Sequence, residues 1–371
     1  MSAISQFLDL FKKKDDSVIG IDIGSSAIKV VQLRKKKGKA ILETYGELSL
    51  GPYANTEIGR ATNLSSDVIG KALLALLKEA KVNTTRAGIA IPLSASLISF
   101  IKMPALDSKQ LTQMIPIEAR KYIPVPISEV TLDWSVVPVA TDQFEEDPNQ
   151  KKEDGKKEVE VLVVVIHNEA LNKYRTMSTT VALDTTFFEI ELFSTIRAAL
   201  DNGIATNMVM DMGAGTTKLY IVERGVLKNS HTINRGSQDI TLALSKALSV
   251  SVDEAEHLKR TVGLSPKPED KQINEIITLT LDYIFYEANR VLLNYQKKYN
   301  KDIAKVTLAG GGVLLNGFAE LAKESFQSEV MRADPFAKIE TPAFLDDVLK
   351  TAGPEFAVAV GVALRKLQEV E

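Results

Sequence analysis

Two stretches decide the fold. The first is Val18-Ile-Gly-Ile-Asp-Ile-Gly-Ser-Ser-Ala-Ile-Lys-Val-Val31. The second is Met208-Val-Met-Asp-Met-Gly-Ala-Gly-Thr-Thr-Lys-Leu-Tyr-Ile-Val222. Each reads as an apolar strand ending in an Asp, a tight Gly turn with hydroxyls, and a returning strand. Asp22 precedes Gly24 by two residues, as Asp211 precedes Gly213; a Lys follows each Asp at the same spacing, Lys29 and Lys218. One such hairpin is an ordinary β-turn. Two copies about 190 residues apart with the same internal spacing indicate an internal duplication.

The pattern suits a nucleotide with its metal. Gly lets the turn take positive φ and lets the backbone approach a ligand. Successive N–H groups in such a turn form a concave anion site. Ser25, Ser26, Thr216 and Thr217 add hydroxyl donors. Asp22 and Asp211 repel a phosphate directly, so they are expected to face a Mg²⁺ held mostly through waters.

Composition bounds the alternatives. The 371 residues suffice for two or more domains with cores. Net charge is −3, so no basic field points to nucleic acid. With no Cys, disulfides, thiolate nucleophiles and Cys-ligated zinc are excluded. His167, His231 and His257 are scattered without metal-ligand spacing. No run of ~18 apolar residues spans a membrane and no signal peptide precedes the first strand, so a cytoplasmic protein is expected.

Between the hairpins the chain alternates strands and helices. Ile4, Phe7, Leu8 and Phe11 make one amphipathic face ahead of Lys12–Lys14, read as a docked or frayed helix, or one lying on an anionic membrane. Ser66–Ala80 is expected as a helix. Residues 92–183 change character to strand–helix–strand–strand–helix, a small inserted α+β unit. Its first helix runs from Asp107 to about Ile123, with a kink or break expected at Pro116. Residues 141–158 are polar and charged and read as a solvated hairpin loop. Trp134 is expected in the insert's core. The second half repeats the scheme with a long helix, 269–299, a strand running into Ala309-Gly-Gly-Gly312, and a closing helix starting at Pro354.

These residues resemble the superfamily of actin, heat-shock chaperone and sugar-kinase ATPases. The resemblance is carried by the hairpins at Asp22 and Asp211 and by the connecting segment Glu189-Ile-Glu-Leu-Phe-Ser-Thr195. It is carried further by the turn Gly310–Gly312, the small-residue helix Ala357-Val-Ala-Val-Gly-Val-Ala363, and the charged segment Glu256-His-Leu-Lys-Arg260. The insert is similar to the extra subdomain of the FtsA branch. Glu118-Ala-Arg-Lys-Tyr-Ile-Pro124 with Glu129-Val-Thr-Leu-Asp-Trp134 resembles the PilM family of type IV pilus assembly proteins.

The resemblance implies an α/β, actin-like ATPase fold: two duplicated, ribonuclease H-like halves around a nucleotide cleft. It implies subdomain 1A at 1–91, 184–205 and 353–371, the insert 1C at 92–183, 2A at 206–246 and 303–352, and 2B at 247–302. It implies ATP and Mg²⁺, with Asp22 and Asp211 in the metal's shell and Glu191 orienting the attacking water. Gly24, Ser25, Ser26, Lys29, Gly213, Gly215, Thr216, Thr217 and Gly236 are expected at the phosphates. Glu256, Lys259, Arg260, Gly310, Gly311 and Gly312 are expected at the nucleoside. For Glu256 and Arg260 a simple i, i+4 ion pair is the competing reading. Ala214 stands where relatives carry polar or Gly residues, so slow hydrolysis is expected. Implied partners are the cytoplasmic N-terminal peptide of a PilN-like inner-membrane protein and, through it, PilO-like and pilus motor or platform proteins. Self-association is possible within the family. The alternatives are an FtsA-like linker of filament to membrane and a small-molecule kinase. FtsA-like chains usually append an amphipathic helix after the closing helix, where this chain stops at Glu371; a kinase needs a catalytic Asp base, for which no candidate stands out.

Overall fold

The computed structural model describes residues 16–138, 158–201 and 203–369. The amphipathic stretch 1–15 and nearly all of the polar loop expected at 141–158 lie outside the described residues. The first half contains β1 (Ser17–Ile23), β2 (Ala27–Lys36), β3 (Lys39–Ser49), α1 (Ser66–Glu79) and β4 (Arg86–Ile91). The insert follows with β5 (Ser96–Pro104), α2 (Ser108–Ala119), β6 (Val130–Val136), β7 (Glu158–His167) and α3 (Asn168–Thr180). The chain then returns through β8 (Asp184–Ile190) and α4 (Glu191–Ala199). The second half contains β9 (Asn207–Met212), β10 (Thr217–Glu223), β11 (Val226–Ile233), α5 (Ser237–Leu248), α6 (Val252–Thr261) and α7 (Lys271–Tyr299). It continues with β12 (Lys305–Ala309), α8 (Phe318–Ser325) and β13 (Glu329–Arg332), and α9 (Asp346–Gln368) closes the described chain.

The duplication expected from the two hairpins is present in full. The sheets run β3-β2-β1-β4-β8 and β11-β10-β9-β12-β13. In each, the first three strands are antiparallel and the last two join in parallel. The outer hairpins even share their turn. Lys37-Gly38 and Arg224-Gly225 are two-residue links with both residues at positive φ, the geometry that matches strand twist.

Alternation along the central strands sets the layers. Ile19 and Ile21 face a core shared with α1 and α3, while Val18 faces the space between the two sheets. Likewise Met208, Met210 and Met212 face a core with α5, α7 and α8, while Val209 faces the same middle layer. A strand's side-chain period of two therefore turns Asp22 and Asp211 toward the middle layer from opposite sides.

That layer holds α4 and α9. They cross where a Cβ on Gly361 would stand 2.0 Å from the Ser194 carbonyl, and α9 lies on β1 where one on Gly20 would stand 2.1 Å from the Ala359 carbonyl. The small residues of the closing helix are thus what lets backbones touch. Glu189 braces the crossing through Arg197 at 2.7 Å and Arg365 at 2.6 Å. Helix α9 begins at Asp346, eight residues before the start expected at Pro354. The Pro354 carbonyl accepts the Gly310 N–H at 2.8 Å, which ties the helix to the β12 turn.

The insert is a three-stranded sheet, β5-β7-β6. Its middle strand is apolar on both faces because both are covered. Val161, Val163 and Val165 pack under α2 with Leu111, Ile115 and Ala119. Leu162, Val164 and Ile166 pack toward the middle layer. Trp134 packs, partly buried, on the α2 core. Asp107 caps α2 through a capping box with Gln110, and the helix continues past Pro116 to Ala119 without the expected break. Leu171, Tyr174 and Met177 of α3 join the α1 core of the first half.

Candidate functional site

The sheet register places Asp22 directly opposite Lys29 and Asp211 directly opposite Lys218. Each turn closes by the same bond: Gly24 N–H to the Ala27 carbonyl at 3.0 Å, and Gly213 N–H to the Thr216 carbonyl at 2.9 Å. Positive φ, expected at these turns, is absent from Gly24, Gly213 and Gly215. What Gly supplies there is closeness, since a Cβ on Gly24 would stand 3.0 Å from the Ala27 carbonyl oxygen. The lining glycines with positive φ are Gly59, at +87°, and Gly310, at +85°; a Cβ on Gly310 would stand 2.5 Å from the Met212 carbonyl oxygen and 2.6 Å from Asp211 Oδ1.

Both hairpins face one cavity of about 370 Å³. Its lining includes Asp22, Gly24, Ser25, Ser26, Lys29, Glu191, Asp211, Gly213, Thr216, Glu256, Lys259, Arg260 and Gly310–Gly312. Gly215, Thr217 and Gly236 are outside the lining. Thr217 is buried and donates to the Arg235 carbonyl at 2.9 Å. Gly215 faces Ala61. Gly236 is a spacer: a Cβ there would stand 2.4 Å from the Ala214 carbonyl oxygen. It lets the start of α5 sit on the hairpin, where the Ser237 and Gln238 N–H groups bond the Gly213 and Ala214 carbonyls at 3.0 and 2.9 Å.

The floor concentrates charge. Asp22, Asp211 and Glu191 stand among Lys29 and Lys218. Burial pushes the Asp22 carboxyl up to about 7; Lys29 pulls against that, and Glu191 and Asp211 add to the rise. Burial raises Asp211 as well, with Lys218 opposing. Lys218, despite its burial, is held above its ordinary range by Glu191 and Asp211. Glu191 has both oxygens engaged: Oε1 accepts the Leu93 N–H and Oε2 accepts from Lys218 Nζ, each at 2.6 Å. Lys29 reaches Glu47 at 3.1 Å.

The far wall is a second charged cluster. Glu256 accepts from Lys259 and Thr241 at 2.6 Å and from Arg260 at 2.7 Å. Burial alone would raise its carboxyl; Lys259, Thr241 and Arg260 outweigh burial and hold it low. Arg260 makes the i, i+4 pair, and the cluster lines the cavity. The loop before α1 closes over it: Gly59 lies against the Glu256 carboxylate, and the Ala61 N–H donates to Gln238 of the second half at 3.0 Å.

Glu47, Thr195, Lys218 and Glu355 line the cavity without having been singled out as ligands. Lys218 was legible as the copy of Lys29. Glu47 and Glu355 carried no signal, because β3 and α9 meet the hairpins only in three dimensions. Among the described residues no group of three or more His, Asp or Glu is arranged to hold a metal. Two carboxylates beside an excess of negative charge fit a Mg²⁺ that brings its own phosphate and water ligands.

The fold is that of the actin-like ATPases. The chain is similar to a solved PilM–PilN type IV pilus biogenesis complex, at TM-score 0.78 and 23% identity over 94% of this chain and 98% of that one. It is similar to MreB5 of Spiroplasma citri bound to ADP, at TM-score 0.52 and 12% identity over 95% of this chain and 96% of that one. The cell division protein FtsA of Neisseria meningitidis is 27% identical over 178 residues, 42% of this chain and 41% of that protein. The chain thus spans about two fifths of the length of that curated relative. Among the described residues no helix is long and apolar enough to cross a membrane. A family model for the type IV pilus assembly protein PilM matches residues 20–367, and the chain belongs to that family.

Proposed function

We propose that the cavity binds ATP with Mg²⁺ and that nucleotide occupancy sets how the protein docks a PilN-like membrane protein. The observation that carries this reading is the pair of duplicated hairpins aimed from opposite sheets into one cavity. Asp22 and Asp211 hold the hydrated metal, and the turns at Gly24–Ser26 and Gly213–Thr216 take the phosphates with Lys29. Gly310–Gly312 and the Glu256–Arg260 wall take the nucleoside. When bound, the metal neutralises phosphate charge. Binding to ADP by a relative of the same fold supports the ligand class. Hydrolysis is slow in this reading, because Glu191 spends both oxygens on Leu93 and Lys218 and Ala214 offers no polar side chain.

The proposed peptide site is a groove of about 400 Å³ where three parts of the chain meet. Val136, Val137 and Leu162 come from the insert, Phe193 and Ile196 from α4, and Val226 and Leu227 from the second half. None of the groove's lining comes from α2, whose Leu111 and Ile115 are buried core and whose Met114 and Ile117 are exposed. Helix α4 joins the two sites. Its first residue, Glu191, is in the cavity floor, and about one and a half turns on, Ile196 is in the groove. The division into 1A, 1C, 2A and 2B is proposed with it, α3 forming the seam between insert and first half. In this reading the protein sits on the cytoplasmic face of the inner membrane through its partner, with PilO-like and motor proteins reached indirectly.

The test is titration of a fluorescent ATP analogue with and without Mg²⁺ into wild type, Asp22→Ala and Asp211→Ala. Both variants should bind at least about tenfold more weakly. Equal binding by folded variants would move the nucleotide elsewhere. A PilN-like peptide should then bind wild type and fail on Ile196→Asp; unchanged binding would remove the groove.

A further inference from the structure

Helix α7 has a second face that the second-half core does not use. Ile277, Leu281, Ile284, Phe285, Ala288, Leu292 and Tyr295 are buried. On the other side, Leu279, Tyr283, Tyr286 and Leu293 are 72%, 51%, 65% and 53% exposed. They sit at i, i+4, i+7 and i+14, so they form one stripe. Single exposed apolar residues need no explanation. A file of four large ones along one helix does.

The charges in the same stripe say what covers it. Glu275, Leu279, Asp282, Tyr286, Arg290, Leu293 and Lys297 are all exposed. Their spacing is the same read outward from Tyr286 in either direction. Four residues away stand Asp282 on one side and Arg290 on the other. Seven away are two leucines, Leu279 and Leu293. Eleven away are Glu275 and Lys297. The stripe is therefore complementary to its own reverse.

We infer that this face pairs with a second copy of the chain, antiparallel, with the two-fold axis at Tyr286. In that arrangement the two Tyr286 rings meet at the axis. Leu279 meets Leu293 of the second copy, Asp282 meets its Arg290, and Glu275 meets its Lys297. An isologous contact of this kind is the commonest closed symmetry. The parallel arrangement is disfavoured by the same residues, because each charge would face its own copy, and the helix dipoles would align unfavourably. Arg290 also reaches Glu287 in its own helix at 2.7 Å; its guanidinium has donors enough for both carboxylates. The seven residues span about 33 Å of helix. One helix pair is smaller than the roughly 1,200–2,000 Å² of a stable interface. The dimer is accordingly weak in dilute solution and forms when the chain is concentrated. The inference stands independently of the nucleotide and peptide sites.

The chain has no Cys, so single cysteines report the geometry directly. Tyr286→Cys, Leu279→Cys and Leu293→Cys are exposed changes that leave the core intact. At high protein concentration with a short bis-maleimide, Tyr286→Cys should cross-link to itself. Leu279→Cys mixed with Leu293→Cys should cross-link, and neither should do so alone. A Tyr286→Cys chain that stays monomeric, or Leu279→Cys linking to itself as well as to Leu293→Cys, would overturn the pairing. In sedimentation equilibrium, Asp282→Arg should weaken self-association about tenfold. Adding Arg290→Asp to it should restore association. Failure of the double reversal to restore it would also overturn the assignment.

Discussion

Lys218 Nζ stands 2.6 Å from Glu191 Oε2, joining the second hairpin of one half to the first turn of the helix that leaves the other half. Both side chains are largely buried, at 16% and 9% exposure. The pair therefore ties the halves together under the cavity. Breaking a buried pair strands the other charge, so Glu191→Gln and Lys218→Met should each cost roughly 3 kcal/mol. The double variant should cost clearly less than the sum. Denaturant unfolding measures all three; strict additivity would mean that the two groups do not act as a pair.

Asp22 gives the chain without nucleotide a distinctive pH dependence. Its carboxyl ordinarily titrates at 3.8 and in the fold at about 7. The folded state thus holds a proton that the unfolded state has released. Its contribution to stability is complete below pH 4, falls as pH rises from about 4 to 7, and is gone above. Within that window the slope is up to about 1.4 kcal/mol per pH unit. Asp22→Asn removes the titration, so its gain in melting temperature over wild type should grow from pH 4 to pH 7 and then level. A constant difference across that range would contradict the assignment.

Metal binding needs the ionised carboxylate. Mg²⁺-dependent nucleotide affinity should therefore rise between about pH 6 and 8 in wild type. Asp22→Asn should flatten that rise while leaving the weak, metal-free binding in place. Calorimetric titration across the range separates the two, and an unchanged slope in the variant would point to a different titrating group.

Two glycine substitutions should have opposite signs. Gly361→Ala puts a methyl 2.0 Å from the Ser194 carbonyl oxygen at the α4–α9 crossing. Backbone cannot yield cheaply there, so a loss of about 3 kcal/mol or more is expected. Gly70→Ala lies in α1 with its nearest neighbour, Met177 Cγ, at 3.9 Å. It should stabilise by about 0.5–1 kcal/mol, through helix propensity alone. Thermal melts of both variants check the pair.

If α4 couples cavity and groove, peptide and nucleotide must change each other's affinity by the same factor. Peptide titrations with and without ATP, and ATP titrations with and without peptide, should give matching ratios. Ratios of one in both directions would leave two uncoupled sites.

The sequence by itself determined the duplication, the two sheets and the part of the cavity's lining that the two hairpins supply. Those follow from local rules. A Gly turn after an Asp-terminated apolar strand is written in consecutive residues. A period of two turns Asp22 and Asp211 to the same faces as Val18 and Val209. Register then brings each Asp opposite its Lys. What only the tertiary structure decided depends on residues distant in the chain. Gly236 reads as a phosphate loop in sequence and is a spacer against Ala214 in space. Glu191 is expected from the resemblance to orient a water, and its oxygens are taken by Leu93 and Lys218, which no local pattern announces. Leu111 and Met114 share a sequence stripe, yet the first is core and the second exposed. Helical spacing specifies only that a face is apolar; whether sheet, partner or water covers it depends on the packing of the whole chain.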